Sequence, residues 1–111
     1  MLKGADFFRG STAEPLRPND DSVTLYLQHV EKLIQMVGVG NYTYLTLSYN
    51  GFIEIVRFDC IQSHDEMLQP NTIMITRDVT GTGRKTFPKG ACIRFDWTEP
   101  ALIDLIKQNQ G

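Results

Sequence analysis

The chain has 111 residues, a formal net charge of −2, 41 % hydrophobic residues and 22 % charged residues. This length fits one folded domain, and the composition excludes disorder over most of it. The small negative charge argues against a general nucleic-acid coat, which carries a basic excess, but leaves room for a local basic patch.

Residues 1–21, MLKGADFFRGSTAEPLRPNDD, show no hydrophobic period. Pro15 and Pro18 block a helix interior, because each lacks an N–H and fixes φ. The segment reads as an extended N-terminal arm, with Phe7 and Phe8 as its docking side chains, followed by a single β-rich domain over residues 22–111. It lacks the apolar run of a signal peptide, so synthesis and folding in a reducing cytoplasm are expected.

Residues 22–37, SVTLYLQHVEKLIQMV, support two readings. Val23, Tyr26, Leu27, Val30, Leu33, Ile34 and Val37 fall on one helical face, with Asp20, Asp21 or Ser22 placed to cap the start and Gly38 the end. Val23, Leu25 and Leu27 also alternate as in a strand, and residues 33–37 fit a second short strand.

From residue 42 the texture is β. YTYLTLSY is followed by Asn50-Gly51, a hairpin signal because both residues tolerate positive φ, and then by the return strand FIEIVRFDCI. The return strand has mixed parity. Ile53 and Ile55 share one face while Val56, Phe58 and Cys60 share the other, which predicts either two covered faces or a bulge. TIMITRDV is a further strand. ACIRFDW alternates cleanly, with Ala91, Ile93, Phe95 and Trp97 on one face and Cys92, Arg94 and Asp96 on the other. TEPALIDLIKQ closes the chain as a short helix: Thr98 suits its cap, Pro100 its first turn, and Ala101, Leu102, Leu105 and Ile106 an apolar stripe for the sheet. The expected fold is mainly β, a small antiparallel sandwich or barrel with a short C-terminal helix. It becomes α+β if 22–37 is helical.

The stretch TGTGRKTFPKG, residues 80–90, invites comparison with a phosphate-binding loop. That loop has the form G-x-x-x-x-G-K-[ST] and opens a helix. Here Arg84 precedes Lys85-Thr86, Val79 holds the place of the first glycine, and Phe87-Pro88 blocks a helix. A connection between strands fits better, with Gly81, Gly83 and Gly90 making the turns and Arg84, Lys85 and Lys89 facing outward.

Other chemistry is sparse. His64-Asp65-Glu66 and His29 do not form a ligand set of recognisable spacing, so no metal site is expected. Ser48 and Ser63 lack a nucleophile-elbow context, and no cofactor motif or catalytic constellation is present. Cys60 and Cys92 stand outside any C-x-x-C spacing and read as buried free thiols. Glu54 sits between two isoleucines and is expected half-buried in a structural ion pair with Arg57 or Arg77. No run approaches the ~18 apolar residues of a membrane span.

Two kinds of function remain. Arg84, Lys85 and Lys89 around Phe87 suggest a small barrel that holds single-stranded nucleic acid by stacking and phosphate contact, which the negative net charge weighs against. The other comes from a resemblance. EIVRFDCI and NTIMITRDVTGTGRKTFPKGACIRFDWTEPALIDLI, spanning Glu54 to Ile106, resemble a pattern in tail and tail-fibre-attachment proteins of bacteriophages. The matching places are Glu54-Ile55-Val56, Thr76-Arg77, Gly81-Thr82-Gly83, Phe87-Pro88, Gly90, the strand from Ile93 to Trp97 and the helix from Ala101 to Ile106. The loop departs from the pattern, running Arg77-Asp78-Val79-Thr80-Gly81 where the family more often has Gly and an acidic residue or Gln after the Arg.

The resemblance implies a β-rich virion protein of the tail, neck or baseplate region, made in the host cytoplasm. It would act by contact, without catalysis or cofactor, as an adaptor or fibre-attachment module. It also implies partners among other virion proteins and a homo-oligomer in the particle. It gives Glu54, Arg77, Gly81, Gly83 and Gly90 a structural role around the loop, with Arg77 clamping loop carbonyls or pairing with Glu54 or Asp78. Phe7, Phe8, Arg84, Lys85, Phe87 and Lys89 are the candidate partner contacts, and residues 1–21 are expected to bridge to an adjacent subunit.

Overall fold

The computed structural model describes residues 1–110. Six antiparallel strands form one curled sheet in the order β1-β6-β3-β4-β5-β2. They are β1 (Arg9–Ser11), β2 (Ser22–Thr24), β3 (Tyr42–Tyr49), β4 (Phe52–Asp59), β5 (Thr72–Thr76) and β6 (Cys92–Arg94), with helices α1 (Leu27–Val37) and α2 (Glu99–Gln110). The two outer strands approach each other where Thr12 bridges Leu25, and the Ala13 N–H donates to the Thr24 carbonyl at 2.8 Å. The sheet is therefore a half-barrel whose edges nearly meet, which pairs part of the backbone that free edges expose.

The β3–β4 hairpin is its centre. Asn50 (φ 48°) and Gly51 (φ 84°) make the two-residue turn, and Tyr49 pairs with Phe52. The mixed parity of β4 reflects two covered faces. Leu45, Leu47, Val56 and Phe58 enter the main core with Val30, Leu33, Ile34 and Val37 of α1. Tyr42, Tyr44 and Ile55 lie on the opposite face, in a smaller cluster with Leu2, Ala101 and Leu105 of α2. One helix thus covers each side of the hairpin.

The ambiguous segment resolves mostly to helix. Ser22–Thr24 is a strand because β5 supplies its ladder, and the 3.6-residue period takes over from Leu27. Gly38 (φ 82°) ends α1 with its N–H on the Ile34 carbonyl. The expected acidic cap is not used: Tyr26 holds the N-cap position without a side-chain bond. Asp20 instead accepts from the Arg17 N–H, and Asp21 pairs with Arg84.

The N-terminal segment corrects the reading of an extended arm. Phe8, Leu16 and Ala5 are buried in the main core and Leu2 in the second cluster. Leu2 bridges Tyr42, Phe8 O accepts from Phe95 N, β1 pairs with β6, and Leu16 exchanges both backbone bonds with Phe87. No hydrophobic period marks this segment because its partners change every few residues, from β3 to β6 to the loop before β6.

Ala91, Ile93 and Phe95 are buried as expected, whereas Trp97 is partly exposed, stacked edge-on against Phe95 with its indole N–H on Asp6. The C-terminal helix also departs from expectation. Ala101 and, in part, Leu105 face the sheet, while Leu102 and Ile106 point to solvent.

Candidate functional site

Two of the residues that carry the resemblance, Glu54 and Arg77, form one buried ion pair. Glu54 belongs to β4 and points into the core, between Phe52 and Val56 on the same face. Arg77 directly follows β5, and its side chain is fully buried. Arg77 Nε donates to Glu54 Oε2 at 2.7 Å and Nη2 to Oε1 at 2.8 Å, the bidentate geometry that suits guanidinium and carboxylate. The other three N–H groups of Arg77 donate to the carbonyls of Arg17, Asp20 and Lys85, each at 2.8 Å. A guanidinium has five N–H donors, and all five are used.

Glu54 is saturated in the same way, accepting also from the Asp78 N–H (3.2 Å) and the Lys85 N–H (2.7 Å). Burial pulls its pKa upward. The Arg77 hydrogen bonds and the two amides outweigh that pull and hold the carboxyl below its usual range. Arg57, the other partner considered for Glu54, instead pairs with Asp59 on the outer face.

This node ties three chain segments together: residues 17–20, β4, and the loop after β5. In the loop, Asp78 adopts a positive φ of 56°, and its carboxylate accepts the Gly83 N–H at 2.7 Å. Gly81, Gly83 and Gly90 all have positive φ, so the glycines supply the turns. Arg77 and Glu54 hold the loop's backbone to the core.

The proposed contact residues separate. Phe87 is fully buried in the main core and Phe8 nearly so, so neither is a surface contact. This also removes the aromatic platform from the nucleic-acid reading. Arg84 pairs with Asp21 at 3.0 Å and donates to the Pro18 carbonyl, and the Lys85 ammonium lies over the Thr82 and Gly83 carbonyls. Lys89 is exposed. Phe7 is 96 % exposed on a positive-φ turn (68°) that displays the ring to solvent.

Histidine and cysteine positions have local structural roles. Ser63 and Glu66 cap the turn that contains His64, whose ring contacts the Pro70 carbonyl. His29 packs on Gly10, where an added Cβ would lie 2.9 Å from Nδ1. Cys60 is buried, which pushes its thiol pKa up, and Cys92 is half-buried; both are free thiols.

Two surfaces were not singled out in the sequence. At the hairpin tip, Tyr49, Phe52 and Ile53 are exposed, Phe52 by 61 %. Phe52 and Ile53 line a groove of about 380 Å³ with Gly51, Ile55, Thr80, Thr82 and Lys85, and Tyr49 is the cross-strand partner of Phe52. The alternation of β3 and β4 carries no signal for this, because it cannot tell a covered face from an open tip.

The second surface is the outer side of α2. Its inner side is pinned by Asp104, whose Oδ2 accepts both the Tyr42 and Tyr44 hydroxyls at 2.7 Å. Burial, then the bond to Asp104, pushes Tyr42 up to about 12, and the Tyr42 bond leads in holding the Asp104 carboxyl low. The Arg57 guanidinium lies 3.7 Å above the Tyr42 ring. No local pattern could reveal this pin, because its members are some sixty residues apart. Compared with known proteins, the chain matches no family model and no curated protein.

Proposed function

We propose that this chain is a structural protein of a bacteriophage particle, in the tail, neck or baseplate region. It serves there as an assembly adaptor or fibre-attachment module, by protein–protein contact and without catalysis. The observation that carries the reading is the exposed apolar hairpin tip of Tyr49, Phe52 and Ile53 beside its groove. Contiguous exposed apolar surface of this kind marks interaction sites.

Two further features support it. A two-residue turn sets the tip's backbone, and the loop that lines the groove beside it is bonded to Glu54 and Arg77 through Lys85. A preorganised surface loses little entropy on docking. The resemblance over residues 54–106 supplies the kind of partner: other virion proteins of the tail, neck or fibre, with several copies of this chain arranged about the particle axis.

Quantitative peptide mass spectrometry on purified particles tests the reading. The expected result is a fixed copy number, in multiples set by the particle's symmetry, and loss of the chain from particles when Phe52→Asp is introduced. Absence of the unaltered chain from intact particles refutes it.

A further inference from the structure

We propose that the outer face of α2 is a self-association surface, on which two copies of the chain pair through antiparallel helices about a twofold axis beside Ile103. The idea does not rest on the virion reading, since it follows from the helix alone.

Ala101, Asp104, Leu105 and Gln108 of α2 turn toward the sheet, in contact with Leu2, Tyr42 and Tyr44. At 100° per residue, Glu99, Leu102, Ile103, Ile106 and Lys107 then occupy the opposite side. All five are exposed, including 44 % of Leu102, 41 % of Ile103 and 56 % of Ile106. A helix that covers a sheet is expected to turn its large aliphatic side chains inward and its polar ones outward. Here an aspartate faces inward, held by two tyrosines, and three large aliphatics face water.

A second copy fits this face by charge and by shape. Glu99 stands four residues before Ile103 and Lys107 four residues after it. A twofold axis at Ile103 therefore sets each Glu99 against the Lys107 of the other copy, giving two equivalent charge pairs. Antiparallel helix dipoles are aligned favourably by the same arrangement. Pro100 and Ile106 are likewise three residues on either side of Ile103. Pro100 lines a groove of about 360 Å³ with Tyr44, Val79, Thr80, Glu99 and Ile103. Each Ile106 would meet the rim of that groove on the other copy, with the two Ile103 side chains packed at the axis. The surface is isologous, as a twofold contact requires. One helix of twelve residues falls short of the ~800 Å² per partner typical of a standard interface, so the pair is weak and reversible in solution.

Sedimentation equilibrium of the full chain, from about 10 µM to about 1 mM, reads this directly. The expected result is a rise in average mass from 12.6 kDa toward twice that value as concentration increases. Ile103→Glu places two like charges at the axis and should abolish the rise while far-UV circular dichroism stays native, because Ile103 is solvent-exposed. Glu99→Lys and Lys107→Glu should each weaken association about tenfold or more, and the double swap should restore it. A chain that is monomeric throughout, or a dimer that survives Ile103→Glu, overturns the proposal. A double swap that fails to restore association overturns the antiparallel pairing. A chain that stays monomeric but needs Ile103 for entry into particles would assign the face to a different protein. Failure here leaves the hairpin-tip reading untouched, since that reading is scored on particle content and Phe52.

Discussion

Replacing Arg77 by alanine should be the most damaging single change at the loop. The substitution removes five hydrogen bonds. It leaves Glu54, 1 % exposed, with only the Asp78 and Lys85 amides for partners, and strips the Arg77 donor from the carbonyls of Asp20 and Lys85, while the Arg17 carbonyl keeps the Asp20 N–H. Breaking a buried pair from one side costs about 3–5 kcal/mol, since the remaining charge stays desolvated. For a domain of this length 1 kcal/mol corresponds to roughly 4 °C, so the melting temperature should fall by about 12–20 °C.

The pH dependence sharpens the test. Glu54 has a lowered pKa in the folded protein, so its contribution is present above the ordinary value of 4.5 and is lost as pH falls through the folded value. In Arg77→Ala the upward pull of burial meets much less opposition. The variant's deficit is therefore largest near neutral pH and narrows on acidification, first above the ordinary value of 4.5 as the buried carboxyl of the variant protonates, then below it as the unaltered protein loses its own contribution. Urea unfolding followed by circular dichroism at several pH values measures both effects. A neutral-pH loss below about 1 kcal/mol, the value of an exposed ion pair, would refute the account of the node. So would a deficit that widens in acid.

Two other outcomes follow from the same geometry. Deleting residues 1–21 removes β1 and the buried Leu2, Ala5, Phe8 and Leu16, so the remainder should lose its cooperative thermal transition; a native-like melt of the truncated chain would contradict the integration of this segment into the core. Tyr42, raised to about 12, should ionise late in a spectrophotometric titration, and Asp104→Ala should bring it back toward 10. Because the raised value favours the neutral hydroxyl in the fold, its stabilisation is lost as pH rises between about 10 and about 12. An unmoved titration in the variant would show that Asp104 does not hold this hydroxyl.

Much of the local structure is legible from residue type and spacing. Asn50-Gly51 marks the hairpin because few other pairs accept two positive φ values in succession. The helical period of residues 27–37 and the alternation around Ile93 appear where expected, since one helix face and one strand face are buried. The glycines of the 80–90 loop were readable as turns, and an acidic residue between two isoleucines announced Glu54 as half-buried and paired, although in the fold it is fully buried. Alternation along β4 already sets Arg57 on the face opposite Glu54, whereas the placing of Arg77 beside Glu54 depends on how β4 pairs with β5, which neither segment encodes alone.

What the sequence alone determined is thus most of the elements from residue 42 onward and the residues at which the backbone must turn, because propensity, period and φ tolerance act over a few neighbours. The tertiary structure decided which apolar side chains are covered. Phe8 and Phe87 are buried and Phe7 is not, because Phe8 O is bonded to Phe95 and Phe87 is laddered to Leu16 across the curled sheet. In the same way, Asp104 rather than Ile103 faces the sheet, because two tyrosines on β3 hold its carboxylate. Burial is a property of partners distant in the chain, and no spacing within a segment encodes them.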